Sequence, residues 1–310
     1  MLVGVVGTGF VGAASAYAMA IRGSVTELVL VDANEAKAQA EASDIADATP
    51  FTHPVRVRAG SYADLAGARV VVMSAGVNQK PGETRLQLLE RNAAIFRTVI
   101  PQIVHHARDA VIVVSANPVD IMTELTERLA YAAGAPAATV LGTGTVLDTA
   151  RFRQLVGAHV QVDARHVHGY VFGEHGDSEV LGWSSLDIAG LPVEQYAETA
   201  GIAWGAGTKA SITNATVRAA DAIISGKGAT YFGIGACTAR LVESIVRDQR
   251  SIYTVTASVP EYGCSIAVPR LVSGRGVGEV LSPGLGDDEA HALQRSAEVL
   301  RSYAARLPTD

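Results

Sequence analysis

The sequence predicts an α/β protein in which a doubly wound parallel sheet is followed by a mixed α/β domain. In the first half of the 310-residue chain, short Val, Ile and Leu runs alternate with helical stretches. Apolar runs without polar alternation are typical of strands that are covered on both faces. After about Leu141 this rhythm changes, and longer helical stretches mix with strand-like ones. We therefore expect two domains, at residues 1–142 and 143–310.

Six apolar runs in the first half predict the strands of the sheet: Leu2–Val6, Leu28–Val31, Val55–Val57, Val70–Ser74, Val111–Ser115 and Thr139–Leu141. The stretches between them predict four helices, at Val11–Arg22, Glu35–Asp47, about Thr84–Ala107 and about Ile121–Ala132. Strands and helices that alternate in this way form parallel sheets with right-handed crossovers. Pro101 is expected to kink or interrupt the third helix, because proline lacks the N–H of a helical hydrogen bond.

The second half predicts a different order of elements. A helix near Leu147–Leu155 is followed by strand-like segments at His166–Phe172 and Glu179–Ser184. Long helices are expected between Glu194 and Val246, then strands at Ile252–Val259 and Ser265–Pro269, and a last helix near Asp287–Ala305. Neither a low-complexity linker nor an internal repeat interrupts this half, so we interpret it as one further domain.

The composition fits a globular protein and argues against nucleic-acid and membrane partners. Hydrophobic residues make up 48% of the chain and charged residues 18%, which is ordinary for a globular protein. The formal net charge of −6 gives no basic surface for nucleic acid. No apolar run approaches the roughly 20 residues that span a bilayer. The chain opens on a strand and not on a basic leader, and Cys237 and Cys264 form no metal-ligand cluster or disulfide framework. We expect a cytoplasmic protein without a bound metal.

A glycine motif at the first strand–helix junction predicts a dinucleotide site. Gly7-Thr8-Gly9-Phe10-Val11-Gly12 fits the pattern G-x-G-x-x-G. In this pattern the three glycines permit a tight turn, a close approach of the backbone to a pyrophosphate, and close packing of helix on sheet. Asp32 ends the second strand, twenty residues after Gly12, where a carboxylate binds ribose hydroxyls and repels a 2′-phosphate. The pattern favours a Rossmann-type domain that binds NAD, with turn-forming glycines as the weaker alternative.

The run Gly173-Glu174-His175-Gly176-Asp177 contains the strongest candidate for an acid–base residue. Histidine exchanges protons near neutral pH, and neighbouring glycines let backbone and ligand come close. A single histidine of this kind is more often part of a surface turn, so its interpretation depends on its partners. Asp148 and Arg151 lie upstream, three residues apart on a predicted helix. They would project about 60° from each other and could face one pocket, or they could form a surface ion pair.

Taken together, these motifs resemble the L-lactate/malate dehydrogenase family, and more closely its bacterial L-lactate dehydrogenases. The resemblance covers nearly the whole chain. It rests on the glycine motif with Asp32 and on four further segments: Ala75-Gly76-Val77-Asn78-Gln79-Lys80-Pro81-Gly82-Glu83-Thr84-Arg85, Asn117-Pro118-Val119-Asp120, Leu147-Asp148-Thr149-Ala150-Arg151-Phe152-Arg153 and Gly173-Glu174-His175-Gly176-Asp177.

The resemblance implies hydride transfer between NAD and a small 2-hydroxy acid. In this reaction His175 exchanges the hydroxyl proton, and Asp148 orients its ring and stabilises the protonated form. Arg151 offers the substrate carboxylate a bidentate contact that lysine cannot reproduce. Arg85 follows a segment with glycines and a proline, which is expected to close over the site and bring the guanidinium to the developing oxyanion. A solvated arginine at the start of a helix is the alternative for Arg85.

Further positions match family residues around the cofactor and the substrate. Asn117, at the end of the fifth strand, corresponds to the residue that orients the nicotinamide and the catalytic groups. Thr230 matches a position that lines the substrate pocket, and Ile234 matches one beside the nicotinamide. The remaining cofactor contacts implied by the resemblance are Phe10 and Val11 in the glycine motif and Ala75 and Gly76 after the fourth strand.

Gln79 indicates which 2-hydroxy acid reacts. Malate dehydrogenases of this superfamily carry an arginine where this chain has glutamine. A second substrate carboxylate needs a counter-charge in a buried site, because an unpaired buried charge costs several kcal/mol. The neutral Gln79 therefore favours pyruvate and lactate over oxaloacetate and malate, although Lys80 lies next to it in the sequence.

A second, allosteric site is also implied. Arg153 lies about 200° round the helix from Arg151 and must face another surface. Together with His168, it matches the positions at which many bacterial L-lactate dehydrogenases bind fructose 1,6-bisphosphate across a subunit interface. Two copies of this pair around a two-fold axis would form a cationic phosphate pocket. We expect a homotetramer with this effector site. Two polar surface or interface residues without an effector are the alternative.

Two other functions remain open from the sequence. The first is a malate dehydrogenase, or another 2-hydroxy-acid dehydrogenase, on the same scaffold. The second is a non-catalytic NAD-binding sensor, against which the presence of His175, Asp148, Arg151 and Arg85 argues, because binding alone needs no acid–base pair.

Overall fold

Six parallel strands form one side of the central sheet. The computed structural model describes residues 1–77, 85–136, 138–282 and 284–307. The strands are β1 (Leu2–Val6), β2 (Glu27–Val31), β3 (Arg56–Ala59), β4 (Val70–Met73), β5 (Val111–Val114) and β6 (Val140–Gly142). They lie side by side in the order β6-β5-β4-β1-β2-β3, and every neighbouring pair is parallel. The six strands predicted from apolar runs are confirmed, with boundaries that differ by at most two residues.

Four helices connect these strands: α1 (Phe10–Arg22), α2 (Glu35–Ala48), α3 (Arg85–His106) and α4 (Val119–Ala132). Of the predicted kink or interruption at Pro101, the interruption is wrong, because α3 continues through this residue, and the kink stays a prediction. A proline inside a helix costs about 3 kcal/mol or more. The side chains of Phe96, Ile100 and Ile103 on either side of it are fully buried, and their packing offsets this cost.

The C-terminal half begins with α5 (Val146–Val160), which is longer than predicted. Short strands follow in place of the two longer ones expected: β7 (Val167–His168), β8 (Val171–Phe172), β9 (Val180–Leu181), β10 (Asp187–Ile188) and β11 (Leu191–Pro192). The next helices are α6 (Val193–Thr199), α7 (Ala206–Val217), α8 (Ala219–Lys227) and α9 (Phe232–Val246). The chain then forms β12 (Ser251–Val259), β13 (Cys264–Ser273), β14 (Gly276–Val280) and α10 (Asp287–Ala304).

The last three strands extend the sheet of the first half. Strand β12 pairs antiparallel with β6 through Thr256 and Gly142, and β13 and β14 follow outward. Within the described residues the sheet therefore has nine strands, in the order β14-β13-β12-β6-β5-β4-β1-β2-β3. Residue 142 thus ends the last parallel strand of a sheet that both halves share, and a domain division at this point stays a prediction.

Apolar side chains cover both faces of the sheet, as the doubly wound fold requires. Alternate residues of each strand point to opposite faces. One face packs against α3, α4 and α10 and the other against α1, α2 and α9. A third apolar cluster fills the space between α5, α7 and the short strands. None of the described helices is long and apolar enough to cross a membrane.

Candidate active site

The turn between β1 and α1 is shaped by glycine. Gly7 has a φ of +93°, in the left-handed region, and a Cβ on it would lie 2.3 Å from the backbone nitrogen of Ala75. A Cβ on Gly12 would lie 1.9 Å from the carbonyl oxygen of Gly7. Gly9 differs, because no described atom lies within 4 Å of a Cβ placed there. The motif therefore packs tightly against the sheet at Gly7 and Gly12 and leaves open space in front of Gly9.

The carboxylate of Asp32 lies beside this turn. One of its oxygens accepts hydrogen bonds from the backbone N–H of Thr8 (2.7 Å) and from its hydroxyl (3.0 Å), and the other accepts from the N–H of Asn34 (2.9 Å). Burial raises the pKa of Asp32, but the hydrogen bonds from Thr8 and Asn34 and the charge of Lys37 hold it below its usual value. The group stays ionised at neutral pH, as an acceptor for ribose hydroxyls must.

One buried amide joins the loops that follow β4 and β5. The Asn92 side chain is 1% exposed, accepts a hydrogen bond from the N–H of Val77 (2.9 Å) and donates to the carbonyl of Asn117 (2.8 Å). It thereby fixes the loop of Ala75 and Gly76 next to Asn117, whose own side chain remains exposed. Sequence reasoning missed Asn92, although a polar residue between the buried Leu89 and Phe96 on one helix face was a usable signal.

Helix α9 packs closely on α1. Two further candidate residues lie at its start: Ile234 on the helix and Thr230 just before it. A Cβ on Gly235 would lie 2.9 Å from Ala14, so glycine is needed for this approach. Ile234, on the same turn of α9, is half-buried against the core of that face. The ring of Phe10 stacks on Tyr231 at 5.2 Å, which places the segment of Thr230 beside the motif. Val11, the next residue of α1, is also half-buried.

His175, Asp148 and Arg151 form one hydrogen-bonded cluster, the candidate reaction centre. Asp148 and Arg151 occupy the first turns of α5, and His175 lies in the loop between β8 and β9. The His175 Nδ1 donates a hydrogen bond to Asp148 Oδ2 (2.6 Å), and the Arg151 Nη1 donates to Asp148 Oδ1 (2.8 Å). The side chains of His175 and Arg151 are 29% and 16% exposed and that of Asp148 is 2% exposed. The histidine and the arginine can therefore reach a ligand, while the carboxylate between them cannot.

The buried carboxylate determines where the proton is held. Burial alone lowers the pKa of His175, but Asp148 outweighs it and raises the pKa to about 9, with Asp120 and Glu179 adding to the effect. Burial raises the pKa of Asp148, but His175 and Arg151 hold it below its usual value. With Nδ1 bound to Asp148, Nε2 is the ring nitrogen that can exchange a proton with a substrate.

A second buried carboxylate holds the backbone of His175. Asp120, 2% exposed at the start of α4, accepts a hydrogen bond from the His175 N–H (2.8 Å) and another from the Thr256 hydroxyl. Burial raises the pKa of Asp120 to about 6, and these two donors oppose that rise. The sequence analysis included Asp120 in a motif but assigned it no role. Its partner on β12 lies 136 residues away, which no local pattern could indicate.

Glu179 is a third residue, after Asn92 and Asp120, for which the sequence predicted no role. Ligand-capable atoms of Glu179, His175 and Asp148 all lie within 4.8 Å of one another, and in the described part of the chain this is the one such cluster. Both Asp148 oxygens already bind His175 and Arg151. Hydrogen bonds therefore join Asp148 to His175 and Arg151, with Glu179 beside them, and the expectation that the cluster holds no metal stays a prediction.

Two predicted residues cannot be placed at this centre. Gln79 lies outside the described residues, and Arg85 begins α3 but its side chain also lies outside them. Both belong to the segment that follows Gly76. Their roles in substrate choice and oxyanion stabilisation stay predictions.

The predicted effector residue Arg153 contacts the two residues that follow the other one, His168. The Arg153 Nε donates to the carbonyl of Gly169 (2.8 Å), and its guanidinium lies 4.9 Å from the centre of the Tyr170 ring. His168 precedes Gly169 on β7 and is exposed. The structure thus brings Arg153 and His168 to one surface, and their binding of an effector stays a prediction.

Two family models together match nearly the whole chain. Residues 1–142 match the lactate/malate dehydrogenase, NAD binding domain, and residues 145–306 match the lactate/malate dehydrogenase, alpha/beta C-terminal domain.

Individual relatives agree with this assignment. An L-lactate dehydrogenase of Chloroherpeton thalassium is 54% identical over 99% of this chain and 100% of its own length. One of Deinococcus radiodurans is 52% identical over 99% of both chains. Among solved structures, a minor L-lactate dehydrogenase from Enterococcus mundtii has a TM-score of 0.94 at 38% identity, over 100% of this chain and 99% of that one.

Proposed function

This chain belongs to the lactate/malate dehydrogenase family, and we propose that it catalyses the reversible, NAD-dependent interconversion of (S)-lactate and pyruvate. It is an NAD-dependent oxidoreductase of the L-lactate dehydrogenase type, as are its full-length relatives. The observation that carries the mechanism is the contact of His175 and Arg151 with one buried carboxylate, Asp148. That arrangement provides a proton donor and a carboxylate-binding cation in one site.

The proton moves through the His175 ring. In pyruvate reduction the protonated ring donates from Nε2 to the keto oxygen, and in lactate oxidation the neutral ring accepts the hydroxyl proton. Asp148 fixes the ring through Nδ1 and stabilises its positive charge (2.6 Å). Asp120 holds the backbone of the same residue (2.8 Å) and limits its movement. When bound, NAD supplies the acceptor or donor for the hydrogen on the substrate carbon.

Arg151 binds the substrate carboxylate. One guanidinium nitrogen is engaged with Asp148, so the ion pair orients the guanidinium and leaves other N–H groups for a ligand. Thr230 lines the substrate pocket, and Asn117 orients the substrate and the nicotinamide. Arg85 stabilises the developing oxyanion once its segment closes over the site.

The residues of the glycine motif fit NAD. The open space at Gly9 lets the pyrophosphate approach the backbone, and the first turn of α1 presents free N–H groups to it. The ionised Asp32 accepts hydrogen bonds from ribose hydroxyls and repels a 2′-phosphate, which favours NAD over NADP. Phe10, Val11, Ala75, Gly76 and Ile234 complete the cofactor surface.

Substrate choice is assigned to Gln79, because a neutral side chain provides no counter-charge for the second carboxylate of oxaloacetate. The test is kcat/KM for pyruvate and for oxaloacetate at matched NADH, in the wild type and in Gln79→Arg. We expect wild type to prefer pyruvate and Gln79→Arg to shift the ratio towards oxaloacetate by at least about tenfold, which corresponds to about 1.4 kcal/mol. A wild type that prefers oxaloacetate would identify a malate dehydrogenase on the same scaffold.

The proposal also includes an effector site, an oligomeric state and a cellular location. Arg153 and His168 bind fructose 1,6-bisphosphate across a two-fold subunit interface of a homotetramer; this is supported by the exposed His168 and by the contact of Arg153 with the adjacent Gly169. Adding this bisphosphate to the pyruvate titration tests that site. The buried free thiols of Cys237 and Cys264 suit the reducing cytoplasm, where we place the enzyme.

A further inference from the structure

The loop that carries His175 folds back and brings another acid to the reaction centre. The N–H of Glu179 donates to the carbonyl of Gly176 (3.2 Å), which closes a turn directly after the histidine. The Glu179 side chain thereby comes within 4.8 Å of ligand-capable atoms of both Asp148 and His175. One of its carboxyl oxygens, Oε1, is buried and has no hydrogen-bond partner among the described residues.

The charges around Glu179 disfavour its ionised form. Asp148 has two cations, His175 and Arg151, on its two oxygens. An ionised Glu179 would add another negative charge beside Asp148, with no ion-pair partner among the described residues, and Asp177 is a further carboxylate nearby. Burial and the Asp148 charge raise the pKa of Glu179 to about 8, Asp177 adds to the rise, and His175 and Arg151 oppose it. At neutral pH the group is therefore protonated.

The substrate introduces another negative charge at this place. Its carboxylate is bound by Arg151, which also contacts the Asp148 next to Glu179. With a neutral Glu179 and a protonated His175, the group of His175, Arg151 and Asp148 carries a net positive charge. An ionised Glu179 cancels that charge and repels the incoming anion.

We propose that Glu179 is an electrostatic gate for anionic substrates, whose carboxyl must carry a proton when the substrate anion binds beside His175 and Arg151. This inference rests on the proposed function, because it assumes that a 2-oxo acid binds at Arg151. It adds a second proton-linked group to the pocket: substrate binding requires a proton on Glu179 as well as a proton on His175.

The experiment measures binding of oxamate, an unreactive isostere of pyruvate, to the complex of the enzyme with saturating NADH. Quenching of NADH fluorescence gives the Kd of oxamate between about pH 6 and pH 10 for the wild type, Glu179→Gln and Asp177→Asn. At pH values above the pKa of Glu179 and that of His175, log Kd rises with pH. The slope equals the number of protons that binding requires.

We expect the wild-type slope to approach about two near pH 10 and the Glu179→Gln slope to stay at or below about one. Asp177→Asn is the matched control, because it removes a neighbouring carboxylate and retains that of Glu179. Its slope should therefore also approach about two. A wild-type slope of about one, or equal slopes in wild type and Glu179→Gln, would overturn the proposal.

Pyruvate reduction by the wild type at about pH 7, where Glu179 is protonated, separates this proposal from the proposed function. Absence of that activity contradicts the proposed function itself. Activity together with a wild-type slope of about one contradicts only the gate.

Discussion

The turn at Gly7–Gly12 and the candidate reaction centre around His175 are built by different means. The turn is a matter of backbone shape, since a Cβ at Gly7 or Gly12 would lie 2.3 Å or less from neighbouring backbone atoms. The reaction centre depends on charge, since the acid–base groups of Asp148, His175 and Glu179 lie within 4.8 Å of one another and Arg151 forms an ion pair with Asp148. Cofactor binding should therefore respond to added side-chain volume, and catalysis to altered charge.

The difference also shows in how each part depends on distant residues. The glycine turn consists of six consecutive residues plus Asp32 at the end of the neighbouring strand. The reaction centre needs the start of α5, the loop before β9, Asp120 on α4 and Thr256 on β12. The structure of the glycine turn can be predicted from its sequence motif, because its residues are local. The charge network cannot, because its four segments meet only in the folded chain.

The largest expected effect is at the reaction centre. His175→Asn removes the proton donor, so we expect kcat/KM for pyruvate to fall by about 10²- to 10⁴-fold. The Kd for NADH should stay within about twofold of wild type, because no backbone of the glycine turn changes. Stopped-flow or steady-state kinetics and NADH fluorescence titration measure the two quantities.

His168→Asn is the matched control, since it makes the same substitution at an exposed histidine on β7. Its kcat/KM without effector should equal that of wild type. If His175→Asn weakened NADH binding as strongly as it lowered kcat/KM, the claim that cofactor binding depends on backbone shape and catalysis on charge would be wrong.

A smaller effect is expected at the cofactor turn. Gly9→Ala introduces a Cβ that meets no described atom of the protein, so its thermal stability should match that of wild type. The methyl group occupies the space where the pyrophosphate approaches the backbone. Overpacking of this kind costs about 1–3 kcal/mol, or roughly 5- to 150-fold in the Kd for NADH.

Gly207→Ala serves as its control, because a Cβ there is equally free of neighbours but lies on α7, away from the motif. Calorimetry measures the thermal stability of both variants, and titration measures their Kd for NADH. Together they show whether the cofactor occupies the space in front of Gly9. Unchanged NADH affinity in Gly9→Ala would contradict the role given to the backbone of the turn.

Most of the fold could be predicted from the sequence because its elements carry local patterns. All six parallel strands followed from continuous apolar runs, and α1 to α4 from the stretches between them. The continuation of α3 through Pro101 could not be predicted, because it depends on tertiary burial of Phe96 and Ile100. Nor could the joining of β12 to β6, since antiparallel pairing across the two halves has no local signal.

The candidate site likewise contains residues that could be predicted from sequence motifs and residues that could not. The glycine motif with Asp32 and the group of His175, Asp148 and Arg151 could be found from motifs. The structure places Asp32 beside the glycine motif and joins His175 and Arg151 to Asp148. Asn92, Asp120 and Glu179 were missed, because each acquires its importance from burial and from a partner distant in sequence or in another loop. An isolated acid or amide in a sequence carries no sign of such surroundings.

The central claim is that the Asp148 charge keeps the catalytic proton on His175, and the pH profile of Asp148→Asn tests it directly. Pyruvate reduction needs protonated His175, so wild-type kcat/KM should fall only above pH values set by pKa values of about 8 for Glu179 and about 9 for His175. Asp148 raises both pKa values, and its neutralisation lowers both. We therefore predict that the alkaline limb of Asp148→Asn moves by at least one pH unit towards the ordinary histidine value of about 6.5. An alkaline limb that stays where it is in the wild type would contradict the claim.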